Sequence, residues 1–224
     1  MKRLIAILSL AIFTTNAVKS QIILSNDSTV CGTFGYNLEA LSSVLSGVNG
    51  DDVHSAVIPI GFSFNFYGTD YTQLLISGNG YITFNLSQAG LYSTYAINQA
   101  IPNPGSIPEN AIMAPWHDIN PNTGGSVTYT TAGAAPNRIF IATWCAVPMY
   151  SCVSLLHTSQ IILYEGSNKI EMFIKNKPLC STWNSGAAVQ GLVSPNSTNW
   201  DIVTDPTIGT ARNFPLQWTT TNEG

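Results

Sequence analysis

The sequence predicts an all-β fold, an antiparallel β-sandwich of about ten short strands with long loops. Three observations predict it. Apolar residues recur at every second position, turn residues punctuate the chain at short intervals, and the polar side chains are amides and hydroxyls rather than charges. Only 9% of the 224 residues are charged, against roughly 25% in an average soluble protein. Asn, Ser and Thr together supply 64 residues. These side chains compete with the helix backbone for hydrogen bonds and suit exposed strands and turns.

The elements follow in chain order. Residues 1–20 read as a secretory signal peptide: Lys2 and Arg3 form a basic start, Leu4 to Phe13 an apolar run, and cleavage is expected near Ser20/Gln21. The run is half the length that spans a bilayer, about 20 residues. Residues 21–50 form a lead-in packed on the domain, with a weakly helical stretch at 38–46 that sets Leu38, Leu41 and Leu45 on one face. The module itself is expected over 51–224 as one domain, since neither a strong internal repeat nor a linker divides it.

Phe62, Phe64 and Phe66 alternate with Ser63 and Asn65, the pattern of a half-buried strand. A hairpin follows, Leu74–Ser77 and Gly80–Phe84 around Gly78-Asn79, because Gly and Asn tolerate the positive φ of tight primed turns. Five prolines in 100–124 predict a long structured loop around one short apolar run, Ala111–Ala114. Strands resume at 127–131 and 138–147, separated by a turn at 132–136. A second hairpin joins 159–164 to 169–174, and further strands are expected at 187–193 and 201–204. The chain then ends on Phe214 and Trp218 without a terminating element, so a piece of a longer protein is expected.

Composition excludes several functions. Eight scattered Lys and Arg make no basic face for nucleic acid. Heptads are absent, and 45% hydrophobic residues exclude disorder. No segment beyond the leader reaches membrane-spanning length. Without Lys2, Arg3 and Lys19 the exported chain holds five basic and twelve acidic residues, a net charge of −7.

Export also governs the cysteines. Cys31, Cys145, Cys152 and Cys180 suggest two disulfides in an oxidising compartment, with buried free thiols as the alternative. A turn centred on Gly166 and Ser167 pairs residues whose numbers sum to about 333, and Cys152 and Cys180 sum to 332. They should meet at the base of the hairpin, where bridging needs Cα atoms about 5.5–6 Å apart. Cys31–Cys145 is the remaining pair.

The runs Ile60–Gly68 (IGFSFNFYG), Ile76–Phe84 (ISGNGYITF), Ala111–Asp118 (AIMAPWHD) and Gly124–Tyr129 (GGSVTY) resemble, in this order, the motif series of the nidogen-type (NIDO-like) extracellular module. Val147–Cys152, Ser159–Glu165 and Asn176–Asn184 are similar to the N-terminal region of large secreted surface proteins of gliding bacteria, where repeats and a sorting module follow. The resemblance spans residues 50–224. It implies a non-catalytic adhesion or structural module of a secreted or cell-surface protein, with an extracellular protein or glycan surface as partner and a larger multidomain chain around it.

Side chains that can carry chemistry are few. Trp116-His117-Asp118 sets a His beside an Asp, but strand neighbours point to opposite faces, and no G-x-S-x-G elbow occurs. No catalytic residue is therefore assigned, and a secreted hydrolase using His117 and Asp118 stands as a third reading. His157 reads as a strand residue and His54 as solvated in a loop. Asp118, Asn120 and Asn122 alternate like the oxygen ligands of a Ca²⁺ loop, although Gly falls one position late and Tyr129 stands where Glu is needed. The same residues also fit an Asx-rich turn. Trp116, Trp183 and Asn184 combine aromatic and amide groups at loop edges, the chemistry of a carbohydrate site, while core anchoring explains the same residues. A carbohydrate- or Ca²⁺-dependent binding module is the second reading; otherwise no cofactor is expected.

Overall fold

A computed structural model of the chain describes residues 43–48, 50–97, 101 and 108–202. The signal segment, residues 21–42 with Cys31, residues 203–204 of the last strand, and Phe214 and Trp218 lie outside the described residues. Among the described residues eleven strands form two antiparallel sheets, so the all-β sandwich is correct. The strands are β1 (Val44–Leu45), β2 (Ile58–Phe66), β3 (Thr69–Ile76), β4 (Tyr81–Thr83), β5 (Ala111–Trp116), β6 (Ser126–Ala132), β7 (Ile139–Met149), β8 (Cys152–Tyr164), β9 (Ile170–Asn176), β10 (Val189–Val193) and β11 (Trp200–Ile202). One sheet runs β1-β6-β7-β8-β9, the other β11-β10-β5-β4-β3-β2. Among the described residues no helix is long and apolar enough to cross a membrane.

The core lies between the sheets. On β2 the inward side chains Ile58, Ile60, Phe62, Phe64 and Phe66 are all buried and alternate with more exposed residues, the period the sequence shows. They pack on Phe140, Ala142 and Trp144 of β7 and Ile161 and Leu163 of β8. Burying each large side chain stabilises the fold by about 1.5–3 kcal/mol. Arg138, just before β7, ties the two sheets together: it donates to the Gly61 carbonyl of β2 and pairs with both oxygens of Glu165.

Three expectations need correction. The helical stretch at 38–46 is not helical where it is described: Val44 and Leu45 pair with Tyr129 and Thr128 along the open edge of β6. An edge strand's unpaired backbone groups outweigh a weak periodic preference. Ala111–Ala114 is not an island in a loop but the start of β5, hydrogen-bonded between β4 and β10 and buried at all six positions. Its inward residues Ile112 and Ala114 join the central core, and Ala111, Met113 and Trp116 pack in a second cluster with Tyr81, Val189 and Val193. A strand covered on both faces has no alternation to read. Finally, His54 is buried, not solvated; its ring bonds the Tyr81 hydroxyl at 2.8 Å.

The second hairpin keeps its expected register, with Ser159 opposite Ile174 and Ile162 opposite Glu171. A shift at Thr158 moves the pairing by one residue, yet Cys152 and Cys180 still form a disulfide with Cα atoms 5.9 Å apart. Cys145 is exposed on β7; its expected partner Cys31 lies outside the described residues.

Candidate functional site

The chemistry gathers at one end of the sheets, around the β3–β4 turn. Gly80 makes that turn possible: its φ is +81°, and a Cβ there would run into the Pro115 carbonyl oxygen and press on the His117 ring. The tight turn drives Asn79 into the protein, fully buried. Its side-chain N–H groups donate to Asp52 Oδ1 at 2.8 Å and to the carbonyls of Ser93 and Thr94 at 3.3 Å; its Oδ1 accepts from the Ile119 backbone N–H. One amide thus joins the turn before β2, the segment after Leu91 and the segment after β5.

Asp118 leaves β5 into this junction. Its Oδ2 accepts the indole N–H of Trp183 at 2.6 Å, while Oδ1 is shielded from solvent and has no hydrogen-bond partner. Asp51 and Asp52 come from the turn before β2, and one carboxylate oxygen from each of Asp51, Asp52 and Asp118 lies within 4.8 Å of the others. Asp51 also carries a buried, unpartnered Oδ1. Burial pushes the Asp118 carboxyl up to about 7; the Trp183 bond opposes this, and the charges of Asp52 and Asp51 add to it. Burial raises Asp51, and raises Asp52 against the pull of its Asn79 bond.

Behind Asp118 lies a buried basic group. His117 and His157 meet edge to face with ring centroids 4.3 Å apart, both fully buried. Neither ring nitrogen of His117 has a hydrogen-bond partner, whereas His157 Nε2 bonds Ser159 Oγ at 2.7 Å. Desolvation, reinforced by neighbouring His157 and Lys177, holds His117 well below the ordinary histidine range; burial brings His157 down to about 3. Lys177 donates to the carbonyls of Pro178 and Gly186, and burial lowers it to about 8.

The sequence-predicted residues divide accordingly. Asp118 sits in the site. Asn120 does not turn its oxygen toward Asp118's partners, because Oδ1 accepts from the Asn122 backbone N–H in an Asx turn, and Asn122 is exposed. Trp116 is a core residue rather than a loop-edge platform: it is fully buried, and its indole donates to the Thr94 carbonyl. Trp183 is half-buried and lies in a row of rings with Tyr150 at 4.8 Å and Tyr95 at 6.4 Å; exposed Tyr92 meets Tyr95 beyond. Asn184 donates to the Tyr95 carbonyl, at the limit of hydrogen-bond distance. Asp51, Asp52 and Asn79 are not marked as site residues by any motif in the sequence. The one available signal was two adjacent carboxylates in a chain with only twelve acidic residues.

The family model described as NIDO related matches residues 28–222. The chain belongs to the NIDO-related family, which bears out the resemblance carried by the IGFSFNFYG, ISGNGYITF and AIMAPWHD runs. No curated protein and no solved structure matches it.

Proposed function

We propose that this NIDO-related chain is a non-catalytic extracellular module that serves adhesion or the architecture of a secreted or cell-surface protein, as one part of a larger multidomain chain of the kind found on gliding bacteria. The observation that carries the reading is the family match over residues 28–222. The Cys152–Cys180 bridge supports it, because such bonds persist in oxidising compartments. The burial of the only histidine next to an acid supports it too. His117 faces His157 in the interior, and the His157–Ser159 pair is equally enclosed, so neither offers a substrate a base. Beads coated with residues 21–224 should adhere to extracellular surfaces, and reduced, unfolded protein should not. Turnover of an ester, peptide or glycoside that vanishes in His117→Ala or Asp118→Asn would replace this reading with the hydrolase.

A second reading, carbohydrate- or Ca²⁺-dependent binding, is favoured by the ring row Tyr92, Tyr95, Trp183 and Tyr150 running up to the Asp118 carboxylate. Such rings stack on sugar faces while nearby oxygens hold hydroxyls or a cation. A glycan array read with and without chelator tests it; signal lost on Trp183→Ala supports it, and a blank array removes it.

A further inference from the structure

We propose that Asp51, Asp52 and Asp118 hold a hard divalent cation of the Ca²⁺ class, at a site defined by carboxylates from two distant segments rather than by the Asp118-Asn120-Asn122 loop. The inference deepens the Ca²⁺-dependent reading and rests on it only for what the ion would serve; binding of the ion is measured by itself.

The spacing of the oxygens fits the ion. Ca²⁺ takes oxygen ligands at 2.3–2.6 Å, so two oxygens on opposite sides of the ion stand roughly 5 Å apart. The three carboxylate oxygens fall within 4.8 Å of one another. The state of two of these oxygens points to an ion independently of the clustering. Asp118 is 6% exposed, and its Oδ1 has neither solvent nor a donor; Asp51 Oδ1 is in the same state. A buried carboxylate oxygen without a partner is costly, and natural structures avoid it by pairing or by metal ligation. Protein donors occupy one oxygen on each of two of the carboxylates, Trp183 on Asp118 Oδ2 and Asn79 on Asp52 Oδ1. These donors fix the carboxylates' orientation as outer partners do in metal centres. The charge of the cluster points the same way. Among the described residues the ion pairs are Arg138–Glu165 and Lys169–Glu171, and neither reaches the three aspartates. The donor set is oxygen alone, without a thiolate or imidazole, which selects Ca²⁺ or Mg²⁺ over Zn²⁺ or Cu²⁺.

Trp183 supplies the readout. Its indole lies against Asp118, so Tb³⁺, a luminescent substitute for Ca²⁺, bound at the site would be excited through it. Residues 21–224, freed of metal with chelator, are titrated with Tb³⁺ and then with CaCl₂ in competition, and with CaCl₂ by calorimetry. One ion per chain is expected, with a Ca²⁺ dissociation constant on the order of 10⁻⁴ M, typical of extracellular sites. Asp51→Asn and Asp52→Asn should each weaken binding at least tenfold, with far-UV circular dichroism confirming a folded chain. Asn120→Ala and Asn122→Ala should leave it unchanged. Asp118→Asn, which can also disturb the fold, is read only beside these. Folded wild-type protein that gives no Ca²⁺ heat and no Tb³⁺ luminescence overturns the proposal. So does binding that survives Asp51→Asn and Asp52→Asn, or Zn²⁺ displacing Tb³⁺ at lower concentration than Ca²⁺. A blank glycan array with Ca²⁺ binding intact would remove only the sugar-binding role.

Discussion

The indole of Trp183 donates to Oδ2 of Asp118 at 2.6 Å across 65 residues of chain. This bond anchors the loop after the disulfide to the end of β5, and it satisfies half of a carboxylate that burial has pushed up to about 7. A hydrogen bond to a charged group contributes about 1.5–3 kcal/mol. Trp183→Phe keeps the ring against Tyr150 and removes the donor. It should lower unfolding stability by roughly that amount in urea titrations at pH 8, where the carboxylate is charged. An unchanged midpoint would mean that the bond is idle.

Gly80 offers a sharper contrast. Alanine there meets both a left-handed backbone and the Pro115 carbonyl, whereas Gly68, at φ +84°, has nothing within 4 Å of a Cβ. Gly68→Ala should cost about 1–2 kcal/mol, the backbone penalty alone. Gly80→Ala should cost about 3–5 kcal/mol, near the top of single substitutions. Equal melting temperatures for the two variants would contradict the packing of the β3–β4 turn against β5.

The buried His157 gives a pH dependence with a definite sign. Its folded pKa, about 3, lies below the ordinary 6.5, so the unfolded chain binds the proton first. Folding stability therefore falls as pH drops below about 6.5, and the loss continues down to the folded value of about 3. Asp118 works the other way, because its raised pKa favours the folded state as pH falls from about 7. Comparing wild type with His157→Gln cancels the aspartate contribution, and Gln can keep the Ser159 bond. Between pH 7 and pH 5 the wild type should lose about 1–2 kcal/mol more than the variant. Parallel stability curves would exclude the imidazole as the cause.

The Cys152–Cys180 bridge should contribute about 2–4 kcal/mol. Cys152→Ser with Cys180→Ser, or mild reduction, is expected to lower the melting temperature while leaving far-UV circular dichroism unchanged at 20 °C. If reduction leaves the melting temperature where it was, the bridge is not a source of stability.

Much of this fold was legible because its strongest strands carry local signals. Phe62, Phe64 and Phe66 alternate into the core, and the Glu165–Asn168 turn fixes a register that places two cysteines face to face. Strand β5 was not legible, since Pro115 and the prolines before it mask a segment whose two faces are both dry. The site was less legible still. Asp118 stood out as a carboxylate in a polar run, but what surrounds it depends on contacts distant in sequence: Asn79 drawing Asp52 inward, and Trp183 reaching back from the disulfide loop. Trp116 and Trp183 look alike in sequence, and only the cover of the β10 side separates a core ring from a half-open one.

The covalent bridge also bears on how such a module would respond to being pulled. Tension applied at the two ends of a chain passes through the sulfurs of Cys152 and Cys180, so the 28-residue span between them cannot be drawn out. At about 3.3–3.6 Å per residue, that withholds on the order of 90–100 Å from the length released on rupture. The β8–β9 hairpin would stay looped while the strands around it unravel, and reduction would restore the missing extension.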